Sequence, residues 1–234
     1  MANHICCWFW KRMLVRKSRK TQPKVPPAPV IVIHDDEKSP EQLFNIYANK
    51  ATRTIEPVGI ERLCADLGIA HTDVRILMLA WKMSASRMGY FTRAEWRNGF
   101  DSLRAGTMQN LSRALTKLQT DIKKEGFSQE FLDLYSFAFK YCLTEDMQRI
   151  LETESVCELL DMVLGSKFPA QVAKLVEYLK CQTDYKAINK DQWEAFYQFC
   201  NEVSYPDMTN YDENSGSYPS IMDGFVDWMK EGKN

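Results

Sequence analysis

FTRAEW at residues 91–96 and INKDQW at residues 188–193 share one order: an apolar residue, a capping residue, two further residues, Glu or Gln, then Trp. In each, the capping side chain (Thr92, Asn189) can accept from the backbone N–H three residues on, while Glu95 or Gln192 reaches back, which is capping-box spacing. The pattern predicts two helix starts, each with its Trp at core spacing. Asp191 then sits in an exposed first turn, where a carboxylate suits the helix dipole.

Working outward, the same order is the exit half of an EF-hand, met twice. Counting back from Glu95 as loop position twelve puts Gly89 at six and Phe91 at eight, as in a calcium loop. Positions one, three and five are Ser84, Ser86 and Met88, without a carboxylate. In the second copy they are Cys181, Thr183 and Tyr185, and Gln192 replaces the bidentate Glu. Calcium needs several hard oxygen ligands, so metal-free relics are expected, and no metal or cofactor is assigned. Weaker candidates for the partner loops centre on Ile55 and Leu151, which makes the spacings 55 to 91 and 151 to 188 nearly equal. On these residues alone, coincidence between two capped helices that both carry Trp stays open.

The remaining chain reads as helix. Ser39-Pro40-Glu41-Gln42 has an N-cap Ser, Pro at the first helical position and Gln at the third, so folded structure is expected to begin there. Residues 107–125 place Met108, Leu111, Leu115, Leu118 and Ile122 on one face, with Gly126 as the stop. Residues 73–83, DVRILMLAWKM, are apolar nearly all round and predict a buried helix. No segment longer than about five residues alternates as a half-exposed strand would. The expected fold class is therefore all-α, with two tandem EF-hand-like modules lacking calcium ligands: one over about 39–105, connecting helices over about 107–143, and one over about 144–230.

The formal charge of −1 hides a polarity. Residues 1–34 carry seven Lys/Arg and no Asp/Glu, whereas residues 182–231 carry ten acidic residues against three basic. An acidic end disfavours nucleic acid and favours a basic protein partner. The stretch from 188 to 228 reads as a docking surface: a capped helix, an acidic turn, and a second helix starting with exposed carboxylates. Seven cysteines, an odd count without CxxC, point to reduced thiols in the cytoplasm or nucleus, with Cys64, Cys142, Cys157 and Cys200 as buried small hydrophobes. His4, His34 and His71 are too scattered for a metal site, and no GxSxG, P-loop or GxGxxG occurs, so no catalytic residue is assigned.

Residues 1–38 form a basic, then Pro-rich tail and linker. Its apolar stretch is too short to span a bilayer, and Ala2 stands where N-myristoylation needs glycine. Three readings stand open: S-acylation of Cys6 or Cys7 beside the polybasic patch, giving membrane contact; a nuclear-import signal in Lys11 to Lys20; or a tail without an address.

From about residue 39 to 230 the chain resembles the defective-in-cullin-neddylation (DCN-like) family, the potentiating-neddylation domain. The residues that carry the resemblance are Ala80-Trp81-Lys82, Gly89-Tyr90-Phe91 with Glu95-Trp96, Ile188-Asn189-Lys190-Asp191-Gln192-Trp193, Asn210-Tyr211-Asp212-Glu213, and Pro219 followed by Asp223-Gly224-Phe225-Val226-Asp227. The resemblance implies a non-catalytic, monomeric accessory scaffold that promotes cullin neddylation. It would hold the cullin C-terminal domain, with its RING subunit, beside the N-acetylated conjugating enzyme of the ubiquitin-like modifier. Carried over by residue, the cullin-binding patch falls on Asp191, Ser217 and Asp223. The family usually has Ala-Trp-Pro where this chain has Ser217-Tyr218-Pro219, and the turn at 213–216 looks one residue longer. The pocket for the enzyme's acetylated N-terminus falls on Ile60, Ile76, Leu79 and Ala80, with Met83, Met88 and Phe91, joined by Tyr141 and Met162 from the second half. By themselves these apolar residues read as core. The alternatives are an EF-hand-type calcium sensor and a structural adaptor that has lost cullin binding.

Overall fold

The computed structural model describes residues 38–124, 129–145 and 147–232. The N-terminal tail with Cys6 and Cys7, and the stop expected at Gly126, lie outside the described residues. The chain divides into two compact units between Ile122 and Lys123.

The first unit holds α1 (Pro40–Tyr47), α2 (Pro57–Leu67), α3 (Val74–Lys82), α4 (Arg93–Ser102) and all but the last two residues of α5 (Met108–Lys124). The cap of α1 is the expected one: the Ser39 N–H donates to Gln42 Oε1 at 2.9 Å, and the Ser39 hydroxyl accepts from the Gln42 N–H. Trp96 is fully buried, donates its indole N–H to the Pro40 carbonyl at 2.8 Å, and packs on Phe44 and Phe100. Five consecutive residues of α3, Ile76 to Ala80, are buried, so a helix that shows water only part of its circumference explains the run of apolar residues. On α5, Met108, Leu111, Leu115 and Ile122 are buried and Leu118 is half-buried.

The loop residues Ile55 and Phe91 exchange both backbone hydrogen bonds, each at 2.9 Å, and both side chains are buried. Ile55 and Phe91 are two of the loop positions that the sequence singles out. Gly89, at loop position six, has φ of 79°, a left-handed conformation that only glycine adopts without strain. Glu95 accepts four hydrogen bonds from its own loop: from the N–H and hydroxyl of Ser86, and from the N–H and hydroxyl of Thr92. The carboxylate that faces the ion in a calcium loop is thus occupied by protein donors.

The second unit holds α6 (Gln129–Cys142), β1 (Ile150–Glu152), α7 (Thr153–Val163), α8 (Pro169–Cys181), β2 (Ala187–Asn189), α9 (Lys190–Glu202), a 3₁₀ turn (Glu213–Ser215) and α10 (Ser220–Glu231). The two short strands depart from the purely helical expectation. They pair antiparallel with Leu151 opposite Ile188, and three residues are too few to show alternation in sequence. Trp193 and Tyr135 form the centre of this unit. Their rings stack at 4.3 Å, the Tyr135 hydroxyl donates to the Trp193 carbonyl at 2.6 Å, and the Trp193 indole N–H donates to the Tyr135 carbonyl at 3.0 Å.

Cys64, Cys142, Cys157 and Cys200 are buried as expected, and burial pushes their thiols up to about 12, 12, 11 and 12 respectively. Thiols held so far from the thiolate form are packing residues at neutral pH. Among the described residues no group of three His, Cys, Asp or Glu is placed to hold a metal ion, and no helix is long and apolar enough to cross a membrane.

Candidate protein-docking site

Asn189 caps α9 by accepting from the Gln192 N–H at 2.9 Å, while Gln192 Oε1 accepts from the Asn189 N–H at 3.0 Å. The reciprocal cap fixes the first turn and leaves Asp191 exposed there. Beside it Lys190 is engaged by Glu194 at 3.1 Å. No hydrogen bond or ion pair takes up the Asp191 carboxylate among the described residues, so its charge faces solvent.

The segment from α9 to α10 is built on Phe199. Tyr211, Tyr218 and Phe225 surround its ring at 5.5, 5.7 and 5.7 Å, and Tyr211 lies 5.5 Å from Tyr218. Asn210 ties the loop down: its Oδ1 accepts from the Ser204 N–H, and its Nδ2 donates to the Glu202 carbonyl, both at 2.7 Å. Asp212 accepts from the Asn214 N–H to start the 3₁₀ turn, and Glu213 pairs with Lys230 of α10 at 2.7 Å. These contacts explain why a turn of polar residues holds one conformation: each end is fastened to a helix.

Ser217 is exposed, with its N–H donating to the Ser215 hydroxyl at 3.2 Å. Asp223, expected to be exposed, is half-buried, because the Tyr211 hydroxyl reaches over the start of α10 and donates to its Oδ1 at 2.6 Å. Burial, and after it the Asp223 carboxylate, raises the Tyr211 hydroxyl well above its ordinary value. Tyr218 donates to Glu202 at 3.0 Å, and burial, then that carboxylate, raises it to about 12. Gly224 lies so close to Tyr178 that a Cβ there would stand 2.4 Å from the Tyr178 hydroxyl. The glycine lets α10 settle onto α8 and so sets where Asp223 is presented.

The three patch residues therefore belong to one unit, on α9, on α10 and on the turn between them, and α9 packs against α10. The nine pocket residues divide between units. Ile60, Ile76, Leu79, Ala80, Met83, Met88 and Phe91 are all buried in the first. In the second, Tyr141 is half-buried on α6, stacked on Phe137 at 5.1 Å, and Met162 is half-buried on α7. Sequence reasoning missed the role of Tyr211, Tyr218 and Lys230. A signal existed for the first, since Asn210-Tyr211-Asp212-Glu213 stands out as a motif, but a bond across 12 residues has no periodicity to betray it.

Fold and site together define an all-α protein-binding module with an acidic face backed by aromatic rings. Comparison with known proteins makes this specific. The family model described as Cullin binding matches residues 110–228, just over half of the chain. The chain is similar to DCN1-like protein 2 of Dictyostelium discoideum, 33% identical over 191 residues that make up 82% of this chain and 68% of that protein. It is also similar to DCN1-like protein 5 of Rattus norvegicus, 32% identical over 207 residues, 88% of this chain and 84% of that protein. DCN1-like protein 4 of Homo sapiens is 36% identical over 177 residues, 76% of this chain and 58% of that protein. The chain belongs to the DCN1-like family of the cullin-binding class.

Proposed function

We propose that this protein is a non-catalytic scaffold in cullin neddylation, which binds the cullin C-terminal domain through Asp191, Ser217 and Asp223 and the N-acetylated conjugating enzyme through the apolar residues of its first unit. The observation that carries this reading is the family match itself, whose span of 110–228 includes the capped α9 start, the fastened turn and the Tyr211–Asp223 pair. Two EF-hand-like modules form its frame, and the protein acts as a monomer in cytoplasm and nucleus, beside the RING subunit of the ligase.

The mechanism is positional. A protein that grips both the acceptor and the charged conjugating enzyme raises their effective concentration and narrows the orientations the thioester samples. The acetyl group matters because an acetylated terminus has lost its charge and can enter an apolar site among Ile60, Leu79 and Phe91, where a free ammonium would meet a large desolvation cost.

The test is binding of the full chain to a cullin C-terminal fragment, compared with Asp191→Lys and Asp223→Lys at fixed ionic strength. A half-buried, hydrogen-bonded Asp223 should cost on the order of 2–5 kcal/mol of binding when reversed, and the exposed Asp191 less. Equal binding by all three proteins sinks the acidic-patch assignment. For the second site, an acetylated N-terminal peptide of the conjugating enzyme should bind and its unacetylated twin should not; equal affinity for the two overturns the pocket.

A further inference from the structure

An exposed aspartate in the first turn of a helix ordinarily exchanges between the staggered χ1 rotamers the helix allows, or folds back on the unpaired N–H groups of that turn. Asp223 is instead bonded from outside its own helix. α10 begins at Ser220 after Pro219, with no side-chain cap, and the Asp223 Oδ1 is taken by the Tyr211 hydroxyl at 2.6 Å, the length of a strong bond to a charged acceptor. No other hydrogen bond or ion pair of the Asp223 side chain occurs among the described residues, so Oδ2 is left for a partner. Tyr211 in turn cannot swing away, because its ring is held against Phe199 and Tyr218 and its backbone follows the Asn210 clip between Ser204 and Glu202.

We propose that Tyr211 is a positioning residue of the docking face: its hydroxyl locks the Asp223 carboxylate in a single rotamer, with Oδ2 presented to a partner cation before contact is made. This rests on the scaffold reading for the identity of that partner. The physical gain is preorganisation. A carboxylate fixed in its bound geometry loses less freedom on pairing than a solvated one, and the phenol hydroxyl already fills Oδ1 in place of water. Since Tyr211 touches no partner atom in this picture, its effect must pass entirely through Asp223.

Tyr211→Phe in the full chain keeps the ring and its packing and removes only the hydroxyl. The first readout needs no partner: three-bond NMR couplings across χ1 of Asp223 should report one rotamer in the natural protein and an average over rotamers in the variant. The second is a pair of double-mutant cycles for binding to a cullin C-terminal fragment. Tyr211→Phe should weaken binding about fivefold to tenfold, should have no further effect in an Asp223→Asn background, and should keep its full effect in an Asp191→Asn background. Unchanged couplings, or an equal loss with and without the Asp223 carboxylate, would falsify the hold and leave Tyr211 as a packing residue. If the natural protein binds no cullin fragment, the scaffold reading fails, while the couplings still uphold or overturn the lock itself.

Discussion

Glu95 and Glu158 show how far two carboxylates can be driven apart by their surroundings. Burial alone would raise Glu95, but the bonds from Thr92 and Ser86, backbone donors first, outweigh it and hold the carboxyl below its ordinary value of 4.5. Its contribution is therefore present above that value and is lost as pH falls through the lower, folded one. Glu158, on α7, is the opposite case. Both its oxygens are buried without a hydrogen-bond partner; burial first, then the charge of Glu154 one turn earlier, push it up to about 7 against the opposing pull of Lys180. Here the folded state takes up a proton more readily than the unfolded chain, so stability is greatest below the unfolded pKa and falls as pH rises from 4.5 through 7. Glu158→Gln should remove this slope. At pH 8 the variant should be more stable by on the order of 1 kcal/mol, discounted for solvent screening at a partly exposed site. Urea unfolding of both proteins at pH 5 and pH 8 checks it, and an unchanged pH slope in the variant would show that another group is responsible.

At the scale of elements, the helix that opens the docking face is anchored at two points of different kinds. The Asn189 cap satisfies an otherwise orphaned N–H at the surface, and its loss in Asn189→Ala should cost about 1 kcal/mol. Four residues on, Trp193 fixes α9 to α6 through the reciprocal bonds with Tyr135 in a dry interior. Trp193→Phe removes the indole donor and leaves a cavity where the larger ring packed on Tyr135 and Phe139, so thermal or urea unfolding should register a larger loss, about 2–3 kcal/mol. The cap and the Trp were legible in the sequence because a helix start has a fixed local grammar. So were the loop positions Ile55, Phe91, Leu151 and Ile188, though not that they pair across the loops. What the sequence withheld is whatever joins residues far apart without a period. Tyr135 meets Trp193 across 58 residues, Tyr211 meets Asp223 across 12, and Glu158 looks like any exposed helix carboxylate until α7 is placed. The seven apolar residues of the first unit were legible as buried, yet burial alone does not separate a core from a lined site.

Over the whole molecule the near-zero net charge conceals two units of opposite sign. Residues 38–122 hold twelve Lys/Arg and eight Asp/Glu, whereas residues 123–234 hold eleven and twenty. An excess of that size on one unit produces a field that reaches well past any single contact and steers a basic partner toward it before docking. Steering and docking are separable by salt. The screening length shrinks from roughly 10 Å at 0.1 M to about 3 Å at 1 M, so attraction at a distance is lost while partly buried pairs are weakened far less. If the acidic unit takes a basic cullin surface, association should slow by about tenfold or more over that range, with a much smaller change in dissociation. Within that behaviour the two aspartates should divide the work. Asp191, exposed and unengaged, belongs to the steering field, so Asp191→Asn should lower the association rate and its salt sensitivity. Asp223, half-buried and held by Tyr211, belongs to the docked contact, so Asp223→Asn should act mainly by speeding dissociation. Stopped-flow or surface-based kinetics across the salt range would resolve both. An association rate indifferent to salt, or two variants that change the same rate constant, would mean that the charge excess serves solubility instead and that recognition lies in the aromatic surface behind it.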